Sequence, residues 1–246
     1  MCGIVGYTGF QDAYDIVING LRRLEYRGYD SAGIVLEDKN NSFEVKKTKG
    51  KVSDLVEISE NLKATSHVGM GHTRWATHGV PSDRNSHPHV SNDGKIALVH
   101  NGIIENYDTI KTMLIGKGFT FSSETDTEVL VNLIQYILDT QKINFSEAVR
   151  YALNEVYGAY AITVMHKDYP GVLVVGRLGS PLAIGLGDKE YFIASDASPF
   201  VEFTKEAVYL EDGHMATISL ENGVDIRSIK ERSEEHTSEL QSRLQI

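Results

Sequence analysis

Apolar residues in two segments of the chain recur at intervals of three and four positions, the spacing that places them on one face of a helix. In the first segment these residues are Ala13, Ile16, Val17, Gly20, Leu21 and Leu24. In the second segment they are Val129, Leu130, Leu133, Ile134, Ile137 and Leu138. Thr125 and Glu128 precede or begin the second segment at the spacing of a capping box. Two more helices are predicted in SEAVRYALNEV and NYDTIKTMLIGKG, the latter ended by Gly116 or Gly118.

Between and after these helices lie short segments of the composition that is typical of strands. They are GIVLED, FEVKK, KIALVHNG, AYAITVM, GVLVVG, YFIASD and VYLEDGHMATISL, and VGMGHTRWA has the same character. Several follow one another with only turn residues between them, which requires antiparallel pairing. The order predicts an α+β fold in which helices cover two antiparallel sheets. We expect one domain over residues 1–230, because neither an internal repeat nor a linker composition interrupts it.

The last residues differ in character from this domain. From Arg232 the chain reads RSEEHTSELQSRLQI, which is polar and lacks the apolar spacing of the preceding helices. The segment could be a frayed tail or a linker. RSEEHTSELQS also resembles the translation of a common sequencing adapter, and we therefore expect residues 231–246 to be an artefactual or disordered tail without a role in function.

Composition and charge exclude several classes of function. With 41% hydrophobic and 24% charged residues, the 246-residue chain has the composition of a globular protein with a substantial core. Its formal net charge of −10 and its scattered basic residues argue against nucleic acid as a partner. No apolar segment approaches the roughly 20 residues that a membrane-spanning helix needs. A single cysteine and a start without a secretory signal favour a cytoplasmic protein that acts on small molecules.

The one cysteine is Cys2, directly after the initiator methionine. A lone cysteine in a strand is most often a small buried apolar residue. Position 2 suggests a different role, because removal of Met1 gives Cys2 a free α-amine beside its own thiol. That amine has an ordinary pKa of about 7.7 to 8.0, so it can accept the thiol proton near neutral pH. The sequence therefore indicates an N-terminal nucleophile that carries its own base.

Four other residues have the chemistry that such a nucleophile needs. Arg74 could bind a carboxylate through its forked guanidinium, although a structural ion pair would equally explain it, and the adjacent Trp75 could be a core aromatic. Asn101 and Gly102 could offer an amide and a backbone N–H to one oxyanion, or they could form an Asn-Gly turn. Asp126 could bind an ammonium group, or it could be a carboxylate favoured by the dipole of the helix it begins.

Six motifs in order, MCGIVGY, RRLEYRGYDSAG, HTRWATHG, NSHPH, VHNGIIEN and ETDTEV, closely resemble the glutaminase domain of the glutamine:fructose-6-phosphate amidotransferases, the glucosamine-6-phosphate synthases. The resemblance runs from residue 2 to about residue 230 and includes RLGSPLAIGLG and FIASD. MCGI alone would fit any class II glutamine amidotransferase, whereas EYRGYDSAG and HTRWATHG are specific to the sugar-phosphate members. The resemblance implies a four-layer αββα sandwich of the N-terminal-nucleophile hydrolase type.

The resemblance also implies roles for individual residues. Cys2 would carry a γ-glutamyl thioester, and Asn101 with Gly102 would form the oxyanion hole. Arg74 and Asp126 would bind the α-carboxylate and α-ammonium of glutamine. The other positions that the resemblance assigns are Thr77 and His78 in the same pocket, Trp75 as a gate for ammonia, and Arg27 and His87 as supporting residues.

The implied partner is L-glutamine, and fructose 6-phosphate would be used only by isomerase domains that this sequence does not contain. The implied parent enzyme is a homo-oligomer that requires no cofactor. Histidines at 72, 78, 87, 89 and 100 lack the paired spacing of a zinc motif, so we expect no metal.

Two alternatives remain. The chain could be an N-terminal-nucleophile amidohydrolase, or another class II amidotransferase, that serves a different substrate or acceptor. It could also be a non-catalytic domain that keeps the fold, in which case a free Cys2 would not be needed.

Overall fold

The computed structural model describes residues 2–63, 66–75 and 80–230, and the backbone of 243–245. The five α-helices of this part of the chain are α1 Ala13–Leu24, α2 Val52–Ser59, α3 Tyr107–Gly116, α4 Asp126–Thr140 and α5 Phe145–Glu155. Four of them confirm the helices that the sequence predicts, and α2 was not predicted because its eight residues are too short to show a clear period. The side chain of Thr125 accepts a hydrogen bond from the Glu128 N–H, which confirms the predicted start of α4.

Fourteen strands of the described residues form two sheets in which neighbouring strands are antiparallel. The larger sheet has the order β14-β11-β9-β10-β1-β4-β2-β3. Its strands are β1 Gly3–Thr8, β2 Ser31–Glu37, β3 Phe43–Lys49, β4 Val68–Arg74, β9 Ala183–Gly187, β10 Glu190–Ala194, β11 Glu206–Tyr209 and β14 Arg243–Gln245. The smaller sheet has the order β13-β12-β8-β7-β6-β5. Its strands are β5 His89–Val90, β6 Ile96–Ile104, β7 Gly158–His166, β8 Leu173–Leu178, β12 His214–Ser219 and β13 Gly223–Ser228.

Three separate clusters of buried apolar side chains show that the molecule has four layers. One cluster joins α1 and α2 to the larger sheet. A second joins α3, α4 and α5 to the smaller sheet. The third lies between the two sheets and contains residues of both, among them Ile4, Val99 and Ile193. Each sheet thus has one face against helices and the other against its partner sheet, which confirms the predicted αββα sandwich.

The chain after residue 230 is described only in β14, whose backbone pairs with that of β11. The predicted domain boundary near residue 230 and the predicted origin of the tail stay predictions. Among the residues that the structure describes, no helix has both the length and the apolar character to cross a membrane.

Candidate active site

Cys2 lies immediately before β1, at the end of the larger sheet where β4 finishes. Gly3 of β1 pairs with Thr73 of β4. The Cys2 thiol therefore lies beside Arg74 and Trp75, the two residues that follow Thr73. The Sγ atom accepts a hydrogen bond from the Trp75 N–H at 3.2 Å and lies 3.5 Å from the Trp75 carbonyl oxygen, to which it can donate. Cys2 is half-buried and lines a small cavity, so it is not the enclosed apolar residue that a lone cysteine usually is.

The surroundings of Cys2 disfavour its thiolate. Burial raises the pKa of the thiol, and this effect outweighs the hydrogen bond from the Trp75 N–H and the positive charge of Arg74, both of which lower that pKa. The thiol therefore stays protonated near neutral pH unless a base removes its proton. The site thus requires a base within reach of Sγ.

Asn101 holds the main chain of Cys2 from the opposite sheet. Its Nδ2 donates to the Cys2 carbonyl oxygen at 3.2 Å and to the Ser195 hydroxyl at 2.9 Å. The same Ser195 hydroxyl accepts from the Ile4 N–H at 2.8 Å, and the Asn101 Oδ1 lies 2.9 Å from His72 Nε2. The amide nitrogen therefore lies on the side of Asn101 that faces the nucleophile.

Gly102 is part of a continuous strand, so the alternative of an Asn-Gly turn is wrong. We predicted a strand ending at this dipeptide, whereas β6 continues to Ile104 and Gly102 pairs with Tyr160. Gly102 has a φ of +130°, and a Cβ there would be 1.9 Å from the carbonyl oxygen of Ala159. Only glycine fits this position, because a side chain would collide with the neighbouring strand and strain the backbone.

Arg74 and Asp126 bring opposite charges to the same cavity. Asp126 is the first residue of α4, and its Oδ2 accepts from the Ile104 N–H at 2.8 Å and lies 3.9 Å from His100 Nδ1. Arg74 is only 4% exposed at the end of β4. The lining of the cavity consists of Cys2, Arg74, Trp75, His87, His100, Gly102, Thr125, Asp126 and Thr127. A cavity with a cation, an anion and a thiol suits an α-amino acid that carries an electrophilic side chain.

Trp75 is 48% exposed, so it is not a core aromatic. Its ring meets Tyr29 edge to face, with the ring centroids 5.7 Å apart. The predicted substrate residues Thr77 and His78 lie outside the described residues.

Arg27 contacts the main chain of Cys2, and its predicted supporting role stays a prediction. Its Nε donates to the Cys2 oxygen at 3.3 Å, and its Nη1 forms an ion pair with Asp196 at 3.0 Å. Burial favours a higher pKa for Asp196, but hydrogen bonds from Ser198, Tyr26 and Arg27 outweigh it and lower that pKa. The Asp196 carboxylate is therefore ionised and holds the Arg27 guanidinium in place.

His87 belongs to a group of four buried histidines, two of which, His87 and His100, line the cavity. Its ring stacks on His72 with centroids 4.3 Å apart and lies edge to face with His89 at 5.0 Å. Burial lowers the pKa of all four, which are His72, His87, His89 and His100. Within residues 2–63, 66–75 and 80–230, no three His, Cys, Asp or Glu side chains are arranged to hold a metal ion.

Sequence reasoning did not find three contacts of this site. The first is the hydrogen bond between the Trp75 main chain and the Cys2 thiol. The other two are the hydrogen bonds of Ser195 and His72 to the Asn101 amide. Ser195 lies in FIASD, for whose serine no role was predicted, and His72 lies in HTRWATHG. Backbone contacts leave no signal in the sequence. The other two contacts join β6 of the smaller sheet to β4 and to the residue after β10, which belong to the larger sheet.

Two kinds of comparison place the chain among known proteins, and the first is by sequence. A family profile described as a glutamine amidotransferase domain matches residues 44–227. The glutamine–fructose-6-phosphate aminotransferase (isomerizing) of Bacteroides thetaiotaomicron is 51% identical over 240 residues, which are 98% of this chain and 39% of that protein. Its namesake from Chlorobaculum tepidum is 53% identical over 223 residues, 89% of this chain and 36% of that protein. The chain thus spans about two-fifths of the length of these curated relatives.

The second comparison is by structure. The glutamine phosphoribosylpyrophosphate amidotransferase of B. subtilis has a TM-score of 0.78 at 29% identity, over 94% of this chain and 50% of that one. An allosteric regulatory enzyme of purine biosynthesis has a TM-score of 0.80 with the same identity and coverage. A class-II glutamine aminotransferase domain protein from Silicibacter pomeroyi, at 15% identity and a TM-score of 0.62, shares the fold. These likenesses confirm the N-terminal-nucleophile hydrolase type of the sandwich.

The family profile begins within β3 and ends within β13, so it covers more than half of the chain and includes the strands and the helix that carry Arg74, Asn101 and Asp126. The chain therefore belongs to the class II glutamine amidotransferases, a family of enzymes.

Proposed function

We propose that this chain hydrolyses L-glutamine to L-glutamate and ammonia through a γ-glutamyl thioester on Cys2. The observation that carries the proposal is that Cys2, Gly102 and the oppositely charged Arg74 and Asp126 line one cavity. The Asn101 amide donates to the Cys2 carbonyl oxygen beside it. In the longer relatives that are named glutamine–fructose-6-phosphate aminotransferase, this reaction would supply ammonia to fructose 6-phosphate for the synthesis of glucosamine 6-phosphate.

Arg74 and Asp126 select an amino acid. The Arg74 guanidinium binds the α-carboxylate through two parallel hydrogen bonds, and the Asp126 carboxylate binds the α-ammonium group. Thr77 and His78 contribute to the same pocket in this proposal. With both ends of the amino acid bound, the side-chain amide of glutamine reaches the Cys2 thiol.

The thioester forms in two steps. The free α-amine of Cys2 takes the thiol proton, and the thiolate attacks the amide carbon of glutamine, whose oxygen becomes an oxyanion. The protonated α-amine of Cys2 then gives its proton to the amide nitrogen of glutamine. The carbon–nitrogen bond breaks, and this nitrogen leaves as ammonia. Water attacks the thioester in the same way, with the α-amine again as base, and glutamate and the thiol are released.

The Asn101 amide and the Gly102 N–H stabilise the oxyanion. In the free site both amide hydrogens of Asn101 already have acceptors, the Cys2 carbonyl oxygen at 3.2 Å and the Ser195 hydroxyl at 2.9 Å. The hydrogen bond to the Cys2 carbonyl is longer than the one to the Ser195 hydroxyl. Because a charged acceptor forms a stronger hydrogen bond than a neutral carbonyl, we expect the oxyanion to take that hydrogen as it forms. This exchange stabilises the transition state more than the ground state.

The reaction is tested by incubating the purified 246-residue chain, with Met1 removed, with glutamine and fructose 6-phosphate. Glutamate and ammonia are expected in equal amounts, and no glucosamine 6-phosphate, because the larger part of the relatives has no counterpart in these residues. Formation of glucosamine 6-phosphate would contradict the proposal that this chain only hydrolyses glutamine. The absence of glutamate would contradict the proposed reaction itself. Hydrolysis of another amide in preference to glutamine would favour the alternative of a different amidohydrolase.

The Arg74→Lys variant tests the selection of an amino acid. We expect kcat/KM for glutamine to fall by about tenfold or more, because an ammonium group keeps the charge but cannot form the forked contact to a carboxylate. The matched control is Arg22→Lys on the exposed side of α1, where Arg22 bonds only to Asn19 three residues before it among the contacts that the structure gives. Unchanged kinetics in Arg74→Lys would remove Arg74 from the site.

Three further parts of the account are inferred from the resemblance and from sequence. We propose that Trp75 controls the passage of ammonia, since the residue is exposed and its backbone N–H contacts the Cys2 thiol. A cytoplasmic location and a homo-oligomeric parent enzyme are also proposed.

A further inference from the structure

His72 is a buried histidine for which the proposed reaction has no role. It lies in β4, is 1% exposed, and its Nε2 is 2.9 Å from the Asn101 Oδ1. The direction of this hydrogen bond follows from the other side of the amide. Asn101 Nδ2 contacts the carbonyl oxygen of Cys2, which can only accept, so the nitrogen is on that side and the oxygen faces His72. His72 Nε2 therefore carries a hydrogen and donates it.

His72 performs this role as a neutral ring. Burial lowers its pKa to about 3, although the hydrogen bond to Asn101 opposes that shift. A neutral imidazole has one N–H, and the contact with Asn101 places it on Nε2, so Nδ1 carries none.

The neighbours of His72 fix the orientation of its ring. The His87 ring stacks on it with an angle of 24° between the planes, and His87 Nδ1 accepts from the His100 N–H at 3.2 Å. Lys47 Nζ holds the segment that carries His87 by donating to the Ser86 carbonyl at 3.0 Å. This segment lies against Gly33, where a Cβ would be 2.0 Å from the His87 carbonyl oxygen. These contacts join β2, β3, the His87 segment and β4 into one support for the His72 ring.

The fixed orientation of the His72 ring matters for the orientation of the Asn101 amide. The two ends of an asparagine amide have similar shapes but opposite hydrogen-bonding properties. If the Asn101 amide turned over, its oxygen would face the oxyanion and repel it. The Ser195 hydroxyl can donate or accept, so it does not determine the orientation. The Cys2 carbonyl does, but the oxyanion competes with it for the same hydrogen. His72 is the neighbour of Asn101 that still distinguishes the ends during the reaction.

We propose that His72 is a positioning residue for glutamine hydrolysis, which keeps the Nδ2 of Asn101 directed at the oxyanion by donating a hydrogen bond to its Oδ1. This inference rests on the proposed function and adds to it the residue that determines the orientation of the oxyanion hole. It predicts that His72 affects the chemical step and has little effect on the binding of glutamine.

The test compares two substitutions of His72. His72→Met removes the donor and keeps the bulk, whereas His72→Gln places an amide N–H close to the position of Nε2. Loss of an oxyanion donor typically costs about a hundred- to a thousandfold in kcat, so the loss of its positioning partner is expected to cost about tenfold. We expect His72→Met to lower kcat by this amount with KM within about twofold, and His72→Gln to recover most of the loss. His166→Gln, a buried histidine in β7 on the other sheet, is the matched control.

A double-mutant cycle separates positioning from a general structural role. If His72 acts through Asn101, His72→Met has little further effect on kcat once Asn101→Ala has removed the amide. Equal losses in both backgrounds, an unchanged kcat in His72→Met, or no recovery in His72→Gln would overturn the inference. If Asn101→Ala itself kept full activity, the proposed oxyanion hole would be wrong, and a wild-type chain without glutaminase activity would overturn the proposed function as a whole.

A measurement on the unaltered chain decides the question if His72→Met does not fold. Nitrogen NMR of histidine-labelled protein distinguishes the two neutral tautomers of His72. The expected result at pH 7 is a ring with its hydrogen on Nε2, unchanged down to about pH 5 because the pKa is far lower. At pH 7, a neutral ring with its hydrogen on Nδ1 would overturn the inference.

Discussion

The Cys2→Ala variant is expected to lose the glutaminase activity of the wild-type chain by roughly a millionfold, the scale of loss when a protease loses its nucleophile. Without Sγ no thioester can form, and the cavity offers no replacement, because among the described lining residues only Cys2 carries a thiol. We expect the fold to be unchanged, since Cys2 is half-buried and precedes β1.

The measurement is kcat for glutamine together with the thermal unfolding temperature. Ser42→Ala is a matched control, because it also removes one polar atom from a small side chain, at an exposed turn between β2 and β3. We expect the control to keep full activity. Activity in Cys2→Ala comparable with that of wild type would show that the thiol is not the nucleophile.

A chain that retains residues before Cys2 is expected to hydrolyse glutamine about a hundred- to ten-thousandfold more slowly than the chain that begins at Cys2, the range that general-base catalysis contributes. Burial raises the pKa of the Cys2 thiol, so the thiol needs a base. The nitrogen of Cys2 is that base when it is an amine, and it cannot accept a proton when it is part of a peptide bond.

Both forms can be prepared from one sample by placing a protease site directly before Cys2 and assaying the protein before and after cleavage. Alkylation with iodoacetamide in both samples is the control, because it reports that the thiol is accessible in each. Equal glutamine turnover before and after cleavage would exclude the α-amine as the base.

The sequence predicts the layers of this fold better than it predicts the details of its site. The apolar periods of α1 and α4 and the short strands between them require helices that cover antiparallel sheets, because each apolar face must be buried. The sequence did not predict where β6 ends. Asn-Gly is a common turn dipeptide, and the strand continues through Gly102 only because β7 lies alongside it.

The residues of the site differ in how much the sequence reveals about them. Cys2 could be assigned chemistry from its position alone. Arg74 and Asp126 were assigned to the charged groups of glutamine through the family resemblance, and these roles stay predictions. His72 could not be assigned, because its contact with Asn101 is made between β4 of one sheet and β6 of the other. From sequence it was one of several histidines considered and rejected as metal ligands, whereas in the fold its partner is an amide.

The most direct test of the account is to identify the atom that attacks the side chain of glutamine. A glutamine analogue with a chloroketone in place of its amide would be attacked by the same atom and would remain attached through a stable bond. The chain that begins at Cys2 is treated with this analogue, with and without excess glutamine, and the modified peptide is identified by mass spectrometry. The account predicts one adduct per chain, on Sγ of Cys2, which glutamine prevents and which parallels the loss of activity. An adduct on another residue, or modification of Cys2 that glutamine does not slow, would contradict it.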